Sequence, residues 1–247
     1  MVKEVSYEEM FARSAGDPRP LVYRGIVKRK HIHQATKNNQ EFFYMDTGYF
    51  GNFKTEGNPN GKKIYHRVVR NELQKSVFED WPDDRWKKLI KIDPRLQWKG
   101  WKKPGKNILL ILPNPKSCHF FGTELDIWRS NVIQEIRKHT DRPIIERKKG
   151  SRGDRNTYSI YDALDNDVHS LVAFNSIAAI EAIAYGVPAF VSVSCAAWPL
   201  ANHDLSVIEN PHRPDEKLIH KHCCSLAYGQ FTSEEIANGT AWKTVKR

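Results

Sequence analysis

Leu171-Val-Ala-Phe-Asn175-Ser176 runs straight into Ile177-Ala-Ala-Ile-Glu181-Ala-Ile-Ala-Tyr-Gly186-Val-Pro188-Ala-Phe-Val191. The stretch reads as a buried strand, a short polar turn, a helix carrying a single carboxylate, a Gly-x-Pro break and a second buried strand. Apolar, β-prone runs on either side of a short helix are the mark of a βαβ unit in a parallel sheet. The turn is its chemically active point. Asn175 and Ser176 stand where a strand hands over to a helix, so unsatisfied N–H groups and the positive end of the helix dipole face a ligand there, an arrangement suited to phosphate. Asn175 also serves equally as a plain turn former. Glu181 follows among Ala and Ile, where a carboxylate without partners would be costly.

Working outward, the second half repeats the alternation. Asn107-Ile-Leu-Leu-Ile-Leu112 reads as a buried strand closed by Pro113-Asn-Pro115. A helix is expected from Asp126 to His139, with Ile127, Val132, Ile133 and Ile136 at helical spacing, then a strand over Pro143–Arg147 and a short helix over Ser159–Leu164. The fold class is therefore α/β, with a doubly wound parallel sheet whose ligands bind beyond the C-terminal strand ends. The first part is less regular. Leu21–Val27, Glu41–Met45 and Ile64–Arg70 read as strands, Lys28–His33 and Lys37–Gln40 as a basic polar stretch, residues 54–63 as a Gly- and Asn-rich exposed loop, and 73–105 as Trp-, Lys- and Pro-rich with helical patches. Lys102-Lys-Pro-Gly105 marks a boundary between an N-terminal domain over 1–105 and a Rossmann-like domain over 106–247.

Charge divides the chain the same way. The net formal charge is +9 over residues 1–105, +5 over 106–160 and −4 over 161–247. A basic front and an acidic back suit a polyanionic partner met by the first two-thirds. Trp81, Trp86, Trp98 and Trp101 interleave with the cations of 64–103. Arg67, Arg70, Lys87, Lys88, Lys102 and Lys103 are the expected phosphate contacts, with the tryptophans either stacking on bases or filling a core. Four cysteines, Cys118, Cys195, Cys223 and Cys224, form no CxxC pair and no secreted disulfide framework. The N-terminal residues lack the apolar run of a signal peptide, and no segment reaches membrane-spanning length. An intracellular, reduced protein without membrane contact is expected. His31-x-His33 and His220-x-His222-Cys223-Cys224 lack a second ligand pair at zinc spacing, so no metal site is expected.

The turn-and-helix pattern Ser176–x4–Glu181 before Gly186-x-Pro188 resembles the donor half of GT-B glycosyltransferases. The likeness covers about Asn107 to Trp242 and points to glycosyltransferases of bacteriophages and of bacterial capsule synthesis; Leu226-Ala-Tyr-Gly-Gln230-Phe-Thr232-x-x-Glu235-Ile-x-x-Gly239-x-Ala-Trp242 looks phage-like. The resemblance implies a GT-B-like architecture with a shortened N-terminal α/β half and C-terminal helices returning to it. It implies that Asn175 and Ser176 hold the donor diphosphate, that Glu181 grips the ribose, that Arg147 and Lys149 contact the diphosphate, and that His203 or Asp204, in a loop closing over the donor, touches the sugar hydroxyls. Asp46, in Asp46-Thr-Gly48-Tyr-Phe-Gly51, stands at a strand end before a Gly-bearing loop. There it either serves as the general base that sugar transfer to a hydroxyl requires or caps its own turn.

The function expected from these residues is phage-type transfer of a sugar from a nucleotide-sugar donor, a UDP-sugar and first of all UDP-glucose, to a hydroxymethylated pyrimidine in double-stranded DNA. Such an enzyme would be a monomer in the cytoplasm of an infected bacterial host, would need no obligatory metal, and would have to expose its target base. The alternatives are a glycosyltransferase acting on a capsule or lipopolysaccharide sugar and a non-catalytic nucleic-acid or nucleotide-binding module.

Overall fold

The computed structural model describes residues 21–26, 29–52, 55, 58–62, 64–148 and 159–246. They form two four-stranded sheets. The second sheet is the one the sequence announces. Its strands are β4 (Asn107–Ile111), β5 (Ile144–Arg147), β6 (Val168–Ala173) and β7 (Ala189–Val191), in spatial order β5-β4-β6-β7 and parallel throughout.

The alternating faces of β4 explain why this sheet is buried on both sides. Leu109 and Ile111 enter one apolar cluster with Leu171, Ala173, Ala189 and Val191. Ile108 and Leu110 enter another with Val172, Phe174 and Phe190. The first face is covered by α5 (Ile160–Leu164), α6 (Ala178–Ala184) and α7 (Glu216–Ala227). The second is covered by α4 (Leu125–Arg137), whose Trp128, Val132 and Ile136 recur every four residues as one stripe. Each fully buried Leu or Ile contributes about 1.5–3 kcal/mol of transfer free energy, which makes these two layers the dominant cohesive element. Every residue of α6 is buried, and its four alanines let it lie close against the sheet. Gly186 ends the helix at φ +84°, where a Cβ would stand 2.3 Å from the Gly100 carbonyl oxygen.

The first sheet is mixed. β1 (Leu21–Arg24) pairs parallel with β2 (Phe42–Thr47), β2 pairs antiparallel with β3 (Tyr65–Arg70), and β3 pairs antiparallel with β8 (Gln230–Thr232). The fourth strand thus arrives from the far end of the chain. Behind it, α8 (Ser233–Ala237) opens with a capping box between Thr232 and Glu235. In α9 (Thr240–Val245), Trp242 packs its ring 4.4 Å from that of Phe43.

The basic stretch read as irregular is corrected by the structure. Arg29–Lys37 is a helix, α1, anchored to β1 and β2 by Ile32 and Ala35. Two apolar residues in nine leave too faint a period to see in sequence. The remaining helices are α2 (Asp84–Ile92) and α3 (Pro115–Phe120), the latter capped by the Asn114 side chain. Among the described residues no helix is long and apolar enough to cross a membrane.

Candidate functional site

In the parallel sheet the chain leaves β4 to build β5 on one side and returns to place β6 on the other. The crevice between the loops following β4 and β6 is the topological switch point, where ligands of such sheets are bound. Residues from three separate segments close around it. The Ser117 hydroxyl, on α3 after β4, donates to Asn175 Oδ1 at 2.9 Å. The backbone carbonyl of Asn175 accepts from Gln74 Nε2 at 2.7 Å, and the Oε1 of the same glutamine accepts from the Ala196 N–H at 3.1 Å. Gln74 is buried. The turn after β6 is thereby held from one side by α3 and from the other by a segment that follows β3.

Asn175 and Ser176 are half-buried and so within reach of a ligand. The Ser176 hydroxyl accepts from the Ala178 N–H at 3.2 Å and caps its own helix. Among the described residues the backbone N–H groups of Ser176 and Ile177 have no acceptor. Glu181 is 2% exposed, and its charge joins burial in pushing the Tyr161 hydroxyl on α5 well above its ordinary pKa, burial being the larger cause. Arg147 ends β5, two strands or about 10 Å from the β6 turn, and lines a pocket of about 90 Å³ with Glu146, Ala163 and Asn166. Lys149 lies outside the described residues. His203 is exposed in the loop after β7, its ring stacked 3.8 Å from that of Trp198. The neighbouring Asn202 fixes that loop, accepting from the His212 N–H and donating to the His212 carbonyl.

Asp46 is on β2, with 41% of its side chain exposed. Its Oδ2 accepts from the Tyr44 hydroxyl at 3.1 Å and from Arg67 Nη2 at 3.3 Å, while Oδ1 accepts from the Thr47 N–H at 2.7 Å. Burial, and after it Asp46, raises the Tyr44 pKa, so the phenol remains a donor to the carboxylate. The loop that follows is tightly built. Gly48 has no room for a side chain, since a Cβ would meet Tyr65 Cβ at 2.9 Å. The fully buried Gln230 accepts from the N–H groups of Tyr49 and Phe50 at 2.7 and 2.9 Å. Asp46 and the β6 turn meet through residues 73–75. Arg67 Nε donates to the Leu73 carbonyl at 3.0 Å, Gln74 holds Asn175, and the Lys75 N–H donates to the Tyr49 hydroxyl at 2.8 Å.

The surface expected to meet nucleic acid is largely committed elsewhere. Arg67 is corrected outright: it is 7% exposed, and its guanidinium is taken by Leu73, Thr47 and Asp46 within the protein. Arg70 pairs with Glu41, Lys87 with Asp83, and Lys102 with Asp165 while lying over the Tyr185 ring. Lys88 and Lys103 are exposed. The tryptophans pack within the protein. Trp86 is buried, Trp101 donates to the Pro214 carbonyl and meets Trp98 edge-on, and Trp81 stacks on Tyr228 at 4.3 Å.

Gln74, Ser117 and Tyr44 were not singled out in the sequence, and Gln230 entered only as one position of the phage-like pattern. Gln74, Ser117 and Gln230 act through partners distant in the chain and Tyr44 through Asp46 two residues on, and only the Asn114-Pro115 cap before α3 left a local trace.

No protein-family model and no curated protein matches the sequence. The structure is similar to two solved KpsC chains of Thermosulfurimonas dismutans. A β-Kdo 2,4-transferase matches at TM-score 0.51 and 13% identity over 89% of this chain and 86% of that one. A β-Kdo 2,7-transferase matches at TM-score 0.50 and 13% identity over 92% and 85%. At this identity the likeness shows the fold alone, one shared with these two transferases, and the chemistry rests on the residues.

Proposed function

We propose that the protein is a glycosyltransferase that binds a nucleotide-activated sugar at the β4/β6 crevice and transfers the sugar to a carbohydrate hydroxyl. The observation that carries this reading is the crevice itself. Its floor offers the Asn175–Ser176 turn with two free N–H donors, and residues 73–75 connect it to a half-exposed carboxylate on the facing sheet. Asn175 and Ser176 take the diphosphate, Arg147 and Lys149 add positive charge as the nucleotide departs, Glu181 serves the ribose, and His203 touches the sugar. Fixed donors aimed at a leaving diphosphate stabilise charge that grows in the transition state. Asp46 accepts the proton of the attacking hydroxyl. The acceptor oxygen then bonds to the anomeric carbon as the bond to the diphosphate breaks.

A carbohydrate acceptor is favoured over the hydroxymethylpyrimidine of DNA by the state of the basic surface. Arg67 is consumed internally and three further cations are ion-paired. DNA remains the second reading, supported by the excess of Lys and Arg in residues 1–160. The test is mass spectrometry after incubation with UDP-, GDP- and CMP-activated sugars, UDP-glucose among them, and with either oligosaccharides or hydroxymethylated DNA. A sugar mass gain on a saccharide supports the proposal. A gain on DNA alone transfers it to the second reading, and no gain with any pair contradicts both.

A further inference from the structure

The side chain of Gln74 makes two hydrogen bonds that no neighbouring residue duplicates. Its Nε2 donates to the carbonyl of Asn175, in the turn after β6, and its Oε1 accepts from the N–H of Ala196, in the turn after β7. Both turns lie at the C-terminal edge of the parallel sheet, whereas Gln74 follows β3 of the other sheet. The preceding Leu73 carbonyl receives Arg67, the cation paired with Asp46, and the following Lys75 N–H is bonded to Tyr49 in the Gly48–Gly51 loop. Three successive residues therefore connect the carboxylate-bearing strand to both ligand-facing turns.

We infer that Gln74 is a positioning residue that fixes the two donor-side turns relative to Asp46. It touches neither reacting atom and acts through Asn175 and Ala196. The inference rests on the transferase reading above. In the free protein an amide with both ends engaged determines the direction of the Asn175 carbonyl and, through the shared peptide plane, of the Ser176 N–H. Without it, donor phosphates would have to order the turn on binding, which weakens donor affinity while leaving the Asp46 carboxylate in place.

The chemistry of the amide supplies its own controls. Gln74→Met retains the length and bulk and loses both hydrogen bonds. Gln74→Glu retains an acceptor for Ala196 and has no N–H for Asn175. Ile136→Ala loosens α4 on the opposite face of the sheet and controls for general destabilisation. Steady-state transfer is measured with the donor that gives product in the panel above, alongside hydrogen exchange of peptides spanning 174–180 and 195–199 in the free protein. We expect Gln74→Met to raise the donor KM about tenfold, as for one or two lost hydrogen bonds, with kcat within about threefold. Exchange should quicken in both peptides for Met, and only in 174–180 for Glu, whose donor KM stays raised. A donor KM in Gln74→Met no higher than in Ile136→Ala, or exchange unchanged in both peptides, would overturn the inference while the wild type still transfers sugar. A wild type that transfers nothing would instead remove the reading on which it rests.

Discussion

The β4–β7 sheet is built from one uninterrupted run, residues 107–191, and is covered by helices on both faces; the β1–β3 sheet is completed by a strand from residues 230–232. The two also differ in how they hold their polar turns. In the parallel sheet, the turn after β6 has one local support, the Ser176 hydroxyl accepting from the Ala178 N–H, and two distant ones, Ser117 and Gln74. In the mixed sheet, the turn after β2 is held by Gln230, about 180 residues distant. The proposed donor turn thus carries a local cap beside its distant supports, whereas the loop after Asp46 depends on a residue near the far end of the chain. Donor binding and chemistry should therefore be separable by mutation.

The largest effect is expected at Asp46. Asp46→Asn should lower kcat by about 10²–10⁴, the usual contribution of a general base, while donor affinity changes less than about threefold. An undiminished rate would make Asp46 a turn cap and no more. On the same side, Gln230→Leu leaves the buried N–H groups of Tyr49 and Phe50 without an acceptor. At about 1–3 kcal/mol for each orphaned donor, urea denaturation should show a loss of about 3–5 kcal/mol. A loss below about 1 kcal/mol would mean that the loop holds itself.

The turn after β7, which Gln74 ties to the segment following β3, has its own titrating reporter. His222 on α7 donates from Nε2 to the Ala196 carbonyl, 2.6 Å away, and burial pushes its pKa down to about 4 from 6.5. The unfolded chain binds the proton first, so this histidine supports folding above pH 6.5 and withdraws that support as pH falls toward 4. The loss reaches about 3 kcal/mol at 1.36 kcal/mol per pKa unit. His222→Gln should flatten the acid limb of the stability profile by that amount, and superimposable limbs would refute the assignment.

At the parallel sheet, Glu181→Ala should weaken binding of the productive sugar nucleotide by about 1.5–3 kcal/mol, the value of a hydrogen bond to a charged group. Unchanged binding alongside lowered stability would reduce Glu181 to a buried structural group. The smallest effect is expected at the surface. Lys87→Ala removes one exposed i,i+4 pair with Asp83 and should alter stability by less than about 0.5 kcal/mol and transfer not at all.

Legibility followed the same division. The strands and helices of 107–191 were readable because their apolar residues repeat at short, regular intervals. Leu109 and Ile111 alternate with Ile108 and Leu110, and α4 was read from Ile127, Val132, Ile133 and Ile136, of which the structure buries Val132 and Ile136, exposes Ile127 and adds Trp128 to the stripe. The helix α1 was hidden because only Ile32 and Ala35 face the core. β8 was hidden because three residues carry no period, and Gln230 reads as an ordinary polar side chain until the loop it serves is placed beside it. Asn175 and Asp46 were singled out from their strand-end positions. Gln74 and Ser117, which hold the Asn175 turn, come from the loop after β3 and from α3 and gave no local signal. Arg67 misled for a related reason: an arginine on an alternating strand looks like a surface cation until its three internal acceptors are seen.

The most direct test of the crevice is hydrogen exchange with and without the sugar nucleotide that supports transfer. Protection concentrated in peptides covering 112–118 and 174–180 is the result expected of a donor lying between the loops after β4 and β6. Protection confined to other segments, with these two exchanging as in the free protein, would contradict it.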